Sequence, residues 1–238
     1  MFKQMMALIR FFLIDMRFSI LLFWSIYMIS LIPISVLSAA AEGNVYISST
    51  IAILIFCGIS GFILLKETFS YTIRLGVTRL EYAISGVIFA AVLAFIMSST
   101  GIIINMIFSA LMEWIGWSHV QLINISDMIG TQSTMLAEFG LLMLFSFITL
   151  IASFFLSTVF HRFGLVGGLS VVALLFITIL IESLRTEVID WFVKDMELGM
   201  MPIHITLNYL SLSILAASFL ILSMLVLWKA SIHPGAAR

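Results

Sequence analysis

Apolar residues gather in long unbroken runs, separated by short polar or charged stretches: residues 18–41, 45–65, 82–112, 139–159, 163–181 and 209–228. Each is continuous rather than alternating, so the runs predict helices, not outer-membrane strands, and each is about long enough to cross a bilayer. The pattern therefore predicts an all-α integral membrane protein with six spans, forming a single domain over residues 1–238.

Several runs carry internal features. Ahead of the first, Lys3, Arg10 and Arg17 are spaced seven apart, while Phe2, Met5, Met6, Ile9, Phe12, Leu13 and Met16 fill most of the rest. This predicts an amphipathic interfacial helix over 1–17 with its cations at the headgroups; the alternative is a plain basic flank to span one. Pro33 predicts a kink in the first span. Ala39-Ala40-Ala41 resembles a signal-peptidase site, but the apolar stretch is too long for a signal peptide, and the segment is expected to stay. Glu42-Gly43-Asn44 forms a very short turn into span two. Span three, over 82–112, would measure roughly 45 Å against a hydrocarbon core of ~30 Å, so it must tilt, protrude or break.

The densest charged segment of the first half lies between spans two and three, over residues 66–82. Phe69 and Ile73 are four apart and share a helix face, Arg74 stands near a helix C-terminus, and Gly76 suits a left-handed stop. Thr78 and Glu81 then form a T-x-x-E capping box, with Val77 and Tyr82 at the positions of a hydrophobic staple. The expectation is a short interfacial helix, a sharp corner, and a new membrane helix.

Further along, Ser98, Ser99, Thr100 and Gly101, with Asn105 one turn on, lie near the middle of span three. They either line a substrate path or serve as close-packing positions between helices, and packing is the favoured reading. The loop 113–138 has no Lys or Arg, and its Trp114 and Trp117 suit a membrane interface; Asn124-Ile125-Ser126 is a sequon too short to carry weight. His161 and Arg162 predict a tight basic turn between spans four and five, and Gly164-x-x-x-Gly168 is a helix-packing signal. Over 182–208 a second interfacial helix is expected. Its apolar side is Leu184, Val188, Trp191, Phe192 and Met196, Asp190 and Lys194 form an i,i+4 pair, and Gly199 and Pro202 end it before a link through His204. The tail from Lys229 is expected to be disordered.

Composition agrees with this class. Hydrophobic residues make up 63% of the chain and charged residues 10%, where a soluble domain is nearer one quarter charged. The single cysteine, Cys57, lies in an apolar run and reads as a core residue. Charge position says more than net charge. With six spans, nine of the eleven lysines and arginines fall on the side of the termini, and only Arg185 and Lys194 fall opposite. That bias predicts a multi-pass protein of the cytoplasmic membrane with both termini and the 66–82 corner cytoplasmic.

The missing residues restrict chemistry. No Asp, Glu, Lys, Arg or His lies in the middle of a span, which argues against a proton pump, an ion-coupled carrier or a voltage sensor. There is no G-x-x-x-x-G-K-[S/T] phosphate loop and no H-E-x-x-H or other metal spacing. Gly58-Ile59-Ser60-Gly61 resembles the serine motif of rhomboid intramembrane proteases. All four histidines, however, fall in loops or at span ends, so Ser60 reads as a packing residue rather than a nucleophile. No catalytic, metal or cofactor site is expected.

The overall plan resembles ABC exporter permeases of the second bacterial type, whose fold is shared with the ABCG transporters. The residues that carry it are the six spans, the N-terminal amphipathic helix, the outer helix between spans five and six, and the corner Arg74-Leu75-Gly76-Val77-Thr78-Arg79-Leu80-Glu81-Tyr82. This corner is similar to the G-x-[S/T]-R-x-x-[Y/F] corner of small Gram-positive members. The resemblance implies a non-enzymatic permease subunit. Residues 67–75 would be a coupling helix docking on a separate ABC ATPase subunit, which alone would bind ATP and Mg. A second permease chain, identical or different, would complete the path, and nucleic acid is not an expected partner. It further implies that Phe69, Tyr71 and Ile73 fill a groove in the ATPase, with Glu67, Arg74, Gly76, Thr78, Arg79 and Glu81 completing the coupling site, and that the cargo is an amphipathic peptide, drug or lipid-like molecule. The alternative is a six-span facilitator or an assembly or immunity factor that uses no ATPase.

Overall fold

The computed structural model describes residues 2–41, 45–116, 120–126, 134–197 and 204–228. The expected turn at 42–44, Trp117, Gly199, Pro202 and the tail from Lys229 lie outside them. The described elements are helix α1 (Phe2–Ala41), strand β1 (Val45–Ile47), helices α2 (Ser49–Arg74) and α3 (Arg79–Ile115), strand β2 (Val120–Leu122), helices α4 (Met135–Leu180) and α5 (Glu182–Phe192), strands β3 (Val193–Glu197) and β4 (His204–Leu207), and helix α6 (Tyr209–Trp228). Five helices, all but α5, are long and apolar enough to cross a membrane.

Three elements run differently from the expectation. The segment 1–17 is not a separate interfacial helix, because α1 continues through it into the first span with Pro33 inside. No glycine or proline interrupts it before Pro33, and Leu8, Phe12 and Met16 face the core while Lys3, Arg10 and Arg17 stay exposed. The helix expected over 67–75 is likewise the last two turns of α2. Thr68 and Thr72 bond back to the carbonyls of Leu64 and Thr68, and nothing breaks the helix before Gly76. The outer helix is shorter than expected. α5 stops at Phe192, and Val193–Glu197 pairs antiparallel with His204–Leu207. Lys194 therefore lies in a strand, outside any helical i,i+4 relation with Asp190.

α3 is unbroken for 37 residues, or roughly 55 Å, and so extends past the hydrocarbon core; Gly116, with φ 79°, ends it. α4 is broken at Gly164, whose φ of 70° and ψ of −166° lie outside the helical region. A Cβ on Gly168 would fall 2.2 Å from the Phe160 ring, and one on Gly167 would fall 2.2 Å from the Phe163 Cβ. In a straight helix residues eight apart are separated by ~12 Å along the axis, so the chain turns back on itself here. The turn sits two residues beyond Arg162, and the G-x-x-x-G signal serves as a hinge and a close contact within one element.

The core is built by close approach of α2 to α4. A Cβ on Gly61 would stand 2.5 Å from the Leu150 carbonyl oxygen, so only glycine lets these backbones meet. Ser60 is buried at the same contact, and Ser157 Oγ donates to the Phe62 carbonyl (2.8 Å). In lipid, helix association depends on such packing and interhelical hydrogen bonds rather than on hydrophobic exclusion from water. Gly101 marks a second junction, where Trp24 of α1, Ile53 of α2 and Leu142 of α4 meet α3.

The two ends of the bundle differ. At one end the start of α1, the α2–α3 corner, the Gly164 turn and the end of α6 come together. Phe11 stacks on Tyr71, Phe69 meets His161 edge-on, and Arg79 Nη1 donates to the Trp228 carbonyl. Lys3, Arg10, Lys66, Arg74, Arg79 and Arg162 belong to these segments. At the other end β1 and β2 pair in parallel, Val45 opposite Val120 and Ile47 opposite Leu122, and Asn105 Nδ2 donates to Ser49 Oγ (2.9 Å) and Asn124 Oδ1 (3.1 Å).

The α2–α4 contact makes an asymmetric prediction. A Cβ on Gly58 would meet Ser153 and Thr149 at ordinary distances of 3.5 and 3.6 Å, whereas one on Gly61 would strike backbone. Gly61→Ala should lower thermal stability in detergent by about 2 kcal/mol, and Gly58→Ala should leave it unchanged or higher. Equal effects of the two changes would refute the close-approach assignment.

Candidate functional site

The corner between α2 and α3 is the most tightly specified part of the chain. α2 ends in a Schellman motif. The Gly76 amide donates to the Ile73 carbonyl (3.0 Å), the Val77 amide donates to the Thr72 carbonyl (3.3 Å), and Gly76 has φ 88°. Nothing lies within 4 Å of where a Gly76 Cβ would be, so glycine is needed here for its backbone and not for space. Two residues later α3 begins with a complete capping box. The Glu81 amide donates to Thr78 Oγ1 (3.2 Å), while the Thr78 amide (3.1 Å) and hydroxyl (2.8 Å) donate to Glu81 Oε2. Val77 packs against the main core, as the staple position requires.

Tyr82 fastens this corner to the bundle. Its side chain is fully buried. Its hydroxyl donates to the Leu64 carbonyl (3.1 Å) and lies 2.9 Å from Thr68 Oγ1, joining the first turn of α3 to α2. Its ring meets Phe69 edge-on at 5.2 Å, Phe12 edge-on at 5.8 Å and Phe154 at 6.4 Å. Phe12 reaches on to Phe89 (5.6 Å), and Phe69 to His161 (5.0 Å). One aromatic cluster therefore holds α1, α2, α3 and α4 at this end.

The cluster divides the expected coupling residues into two groups. Phe69 is 1% exposed and Ile73 packs on the core, so neither side chain is free to fill a partner's groove; the expectation for these two is corrected. Glu67, Tyr71 and Arg74, spaced i, i+4, i+7, form the exposed face of the last two turns of α2, next to Leu75. Gly76, Thr78 and Glu81 build the corner itself. Arg79 is directed to the C-terminal carbonyl of α6, where a cation also favours the helix dipole.

No family model, curated protein or solved structure matches this chain. The candidate site therefore rests on its own geometry.

The residues proposed for a path are dispersed. Ser98 is fully enclosed, and Gly101 sits at the four-helix junction. Ser99 and Thr100 donate to the carbonyls of Phe95 and Ile96 in their own helix. Ser98 and Gly101 are packing positions, whereas Ser99 lines a cavity of about 360 Å³ with Ile103, Met135 and Phe139. Asn105 differs: it braces Ser49 and Asn124 and lines a cavity of about 350 Å³ at the β1–β2 end of the bundle with Glu113 and Glu138. Sequence reasoning missed Arg79 as a cap for α6, because a contact across 149 residues leaves no local signal. It also missed His161 as an aromatic-cluster member, though its place one turn before Gly164 was a usable hint.

The two roles of Tyr82 can be separated. Tyr82→Phe keeps the ring and loses the hydroxyl, and should cost about 1 kcal/mol. Tyr82→Ala removes the shared ring of four helices and should cost about 3–5 kcal/mol. Thermal unfolding of the purified protein followed by tryptophan fluorescence checks this; a Phe variant as unstable as the Ala variant would show that the ring contacts are not the main tie. Gly76→Ala adds no clash and should cost about 1–2 kcal/mol through its left-handed backbone alone.

Proposed function

We propose that this chain is the membrane-spanning permease subunit of an ATP-driven exporter of the second bacterial ABC type. In this reading the chain crosses the cytoplasmic membrane six times, the helix broken at Gly164 providing two of the crossings. Both termini and the α2–α3 corner are cytoplasmic, and two such chains, identical or different, pair around the path. ATP and Mg are bound by a separate ATPase subunit. The cargo is an amphipathic peptide, drug or lipid-like molecule.

The observation that carries the proposal is the exposed Glu67–Tyr71–Arg74 face on a corner that cannot flex independently. A partner pressing on this face meets a helix end fixed by a Schellman motif and a capping box, and tied through Tyr82 to three other helices. A load applied there moves the joined ends of α1–α4 together. Exposed Tyr71 and Leu75 offer apolar contact, and Glu67 and Arg74 offer one charge of each sign for register. The gathering of basic residues at the same end supports its cytoplasmic placement.

The test is gentle purification of the tagged chain from its native membrane. A phosphate-loop ATPase should copurify, and it should be lost from Glu67→Lys/Arg74→Glu while the thermal stability of the permease is unchanged. Phe69→Ser is the contrasting variant, expected to destabilise the permease itself. Recovery of the chain alone, under conditions that keep other membrane complexes whole, would reject the permease reading in favour of a facilitator or assembly factor.

A further inference from the structure

Between the first turn of α3 and the last turns of α6 lies a partly open groove of about 610 Å³, walled by Leu80, Ala83, Met224, Leu227 and Trp228. Its lining is almost wholly apolar except at Thr78 and Arg79. The Arg79 guanidinium is held there by its bond to the Trp228 carbonyl, which uses one of its five N–H donors. Trp228 and Leu80 are largely exposed, at 75% and 51%. The carboxylate nearest in sequence, Glu81, is engaged by the Thr78 amide and hydroxyl. An apolar slot with a fixed guanidinium and an interfacial tryptophan at one end fits one amphipathic ligand: an acyl chain along the slot and an anionic headgroup at Arg79.

We infer that this groove is a binding site for an anionic phospholipid, with Arg79 taking the headgroup phosphate, Leu80, Met224 and Trp228 flanking an acyl chain, and the buried Ala83 and Leu227 forming the floor beneath it. Two features favour a lipid over a protein segment. The walls are parts of helices that are themselves apolar enough to span the membrane, which would set the groove beside lipid. The segments gathered at this end also carry Lys3, Arg10, Lys66, Arg74 and Arg162, which draw anionic headgroups to it. An occupied groove fills the gap between α3 and α6 beside Thr78, so the lipid stiffens the corner on the side that the aromatic cluster does not reach. The inference does not require an ATPase partner.

The test uses the full chain in nanodiscs of phosphatidylcholine with one tenth phosphatidylglycerol, and native mass spectrometry of the retained lipid. The wild type should retain phosphatidylglycerol about fivefold above its share. Arg79→Gln should abolish the enrichment, whereas Arg185→Gln, which removes an exposed cation on α5 away from the groove, should preserve it. Ala83→Leu, which narrows the slot with every charge in place, should also lose it, and serves if Arg79→Gln does not fold. No enrichment in the wild type, equal loss from the two arginine variants, or undiminished enrichment in Ala83→Leu would each overturn the assignment.

Discussion

A tyrosine hydroxyl inside an apolar bundle costs several kcal/mol if it lacks a partner. Tyr82 meets that constraint at one place only, beside the Leu64 carbonyl and the Thr68 hydroxyl. The requirement fixes how α3 leaves the corner. α3 must start close enough to α2 to bring its fourth residue against a point roughly two and a half turns before the end of α2. The left-handed Gly76 and the short link to Thr78 supply that reversal. Once Tyr82 is seated, its ring sets the positions of Phe12, Phe69 and Phe154, and through them of α1 and α4.

The rest of the bundle is held by small residues. Gly61 admits the Leu150 carbonyl, Gly101 admits side chains from three helices, and Gly168 admits the Phe160 ring. None of these contacts draws on water exclusion, and each depends on shape. The consequence is uneven packing. The helix ends around Tyr82 and Gly61 are tightly enclosed, whereas the segment after Gly164 and all of α5 carry mostly exposed apolar side chains such as Leu174, Phe176, Leu180 and Trp191. The stiff part and the open part of the molecule are thus separate stretches of chain.

This division also explains what was legible in the sequence. Local devices were readable: the Gly76 stop, the Thr78–Glu81 box and the staple positions all rest on neighbours within a few residues. Boundaries set by tertiary contact were not. Phe69 and Ile73 carry the pattern of an interfacial helix, yet that pattern is the same for a helix end whose apolar face is buried by Tyr82 and His161. The end of α5 at Phe192 depends on β4, which begins twelve residues later in the chain. Hydrophobic periodicity measures that a face is apolar, and leaves open what covers it.

The burial of Phe69 changes how the corner would have to work. A free coupling helix could swing on its own and pass a movement on through a hinge. Here the end of α2 shares its core with α1, α3 and α4, and the sole glycine of the corner is held by two hydrogen bonds across it. A force on Glu67, Tyr71 and Arg74 therefore has no local hinge to dissipate it. The break in α4 at Gly164 lies one turn from His161, whose ring meets Phe69. Displacing the α2 end presses on the His161 ring and so on the turn where α4 reverses. Movement imposed at the corner would then pass across the break at Gly164 into the 165–180 segment, whose apolar side chains are mostly exposed.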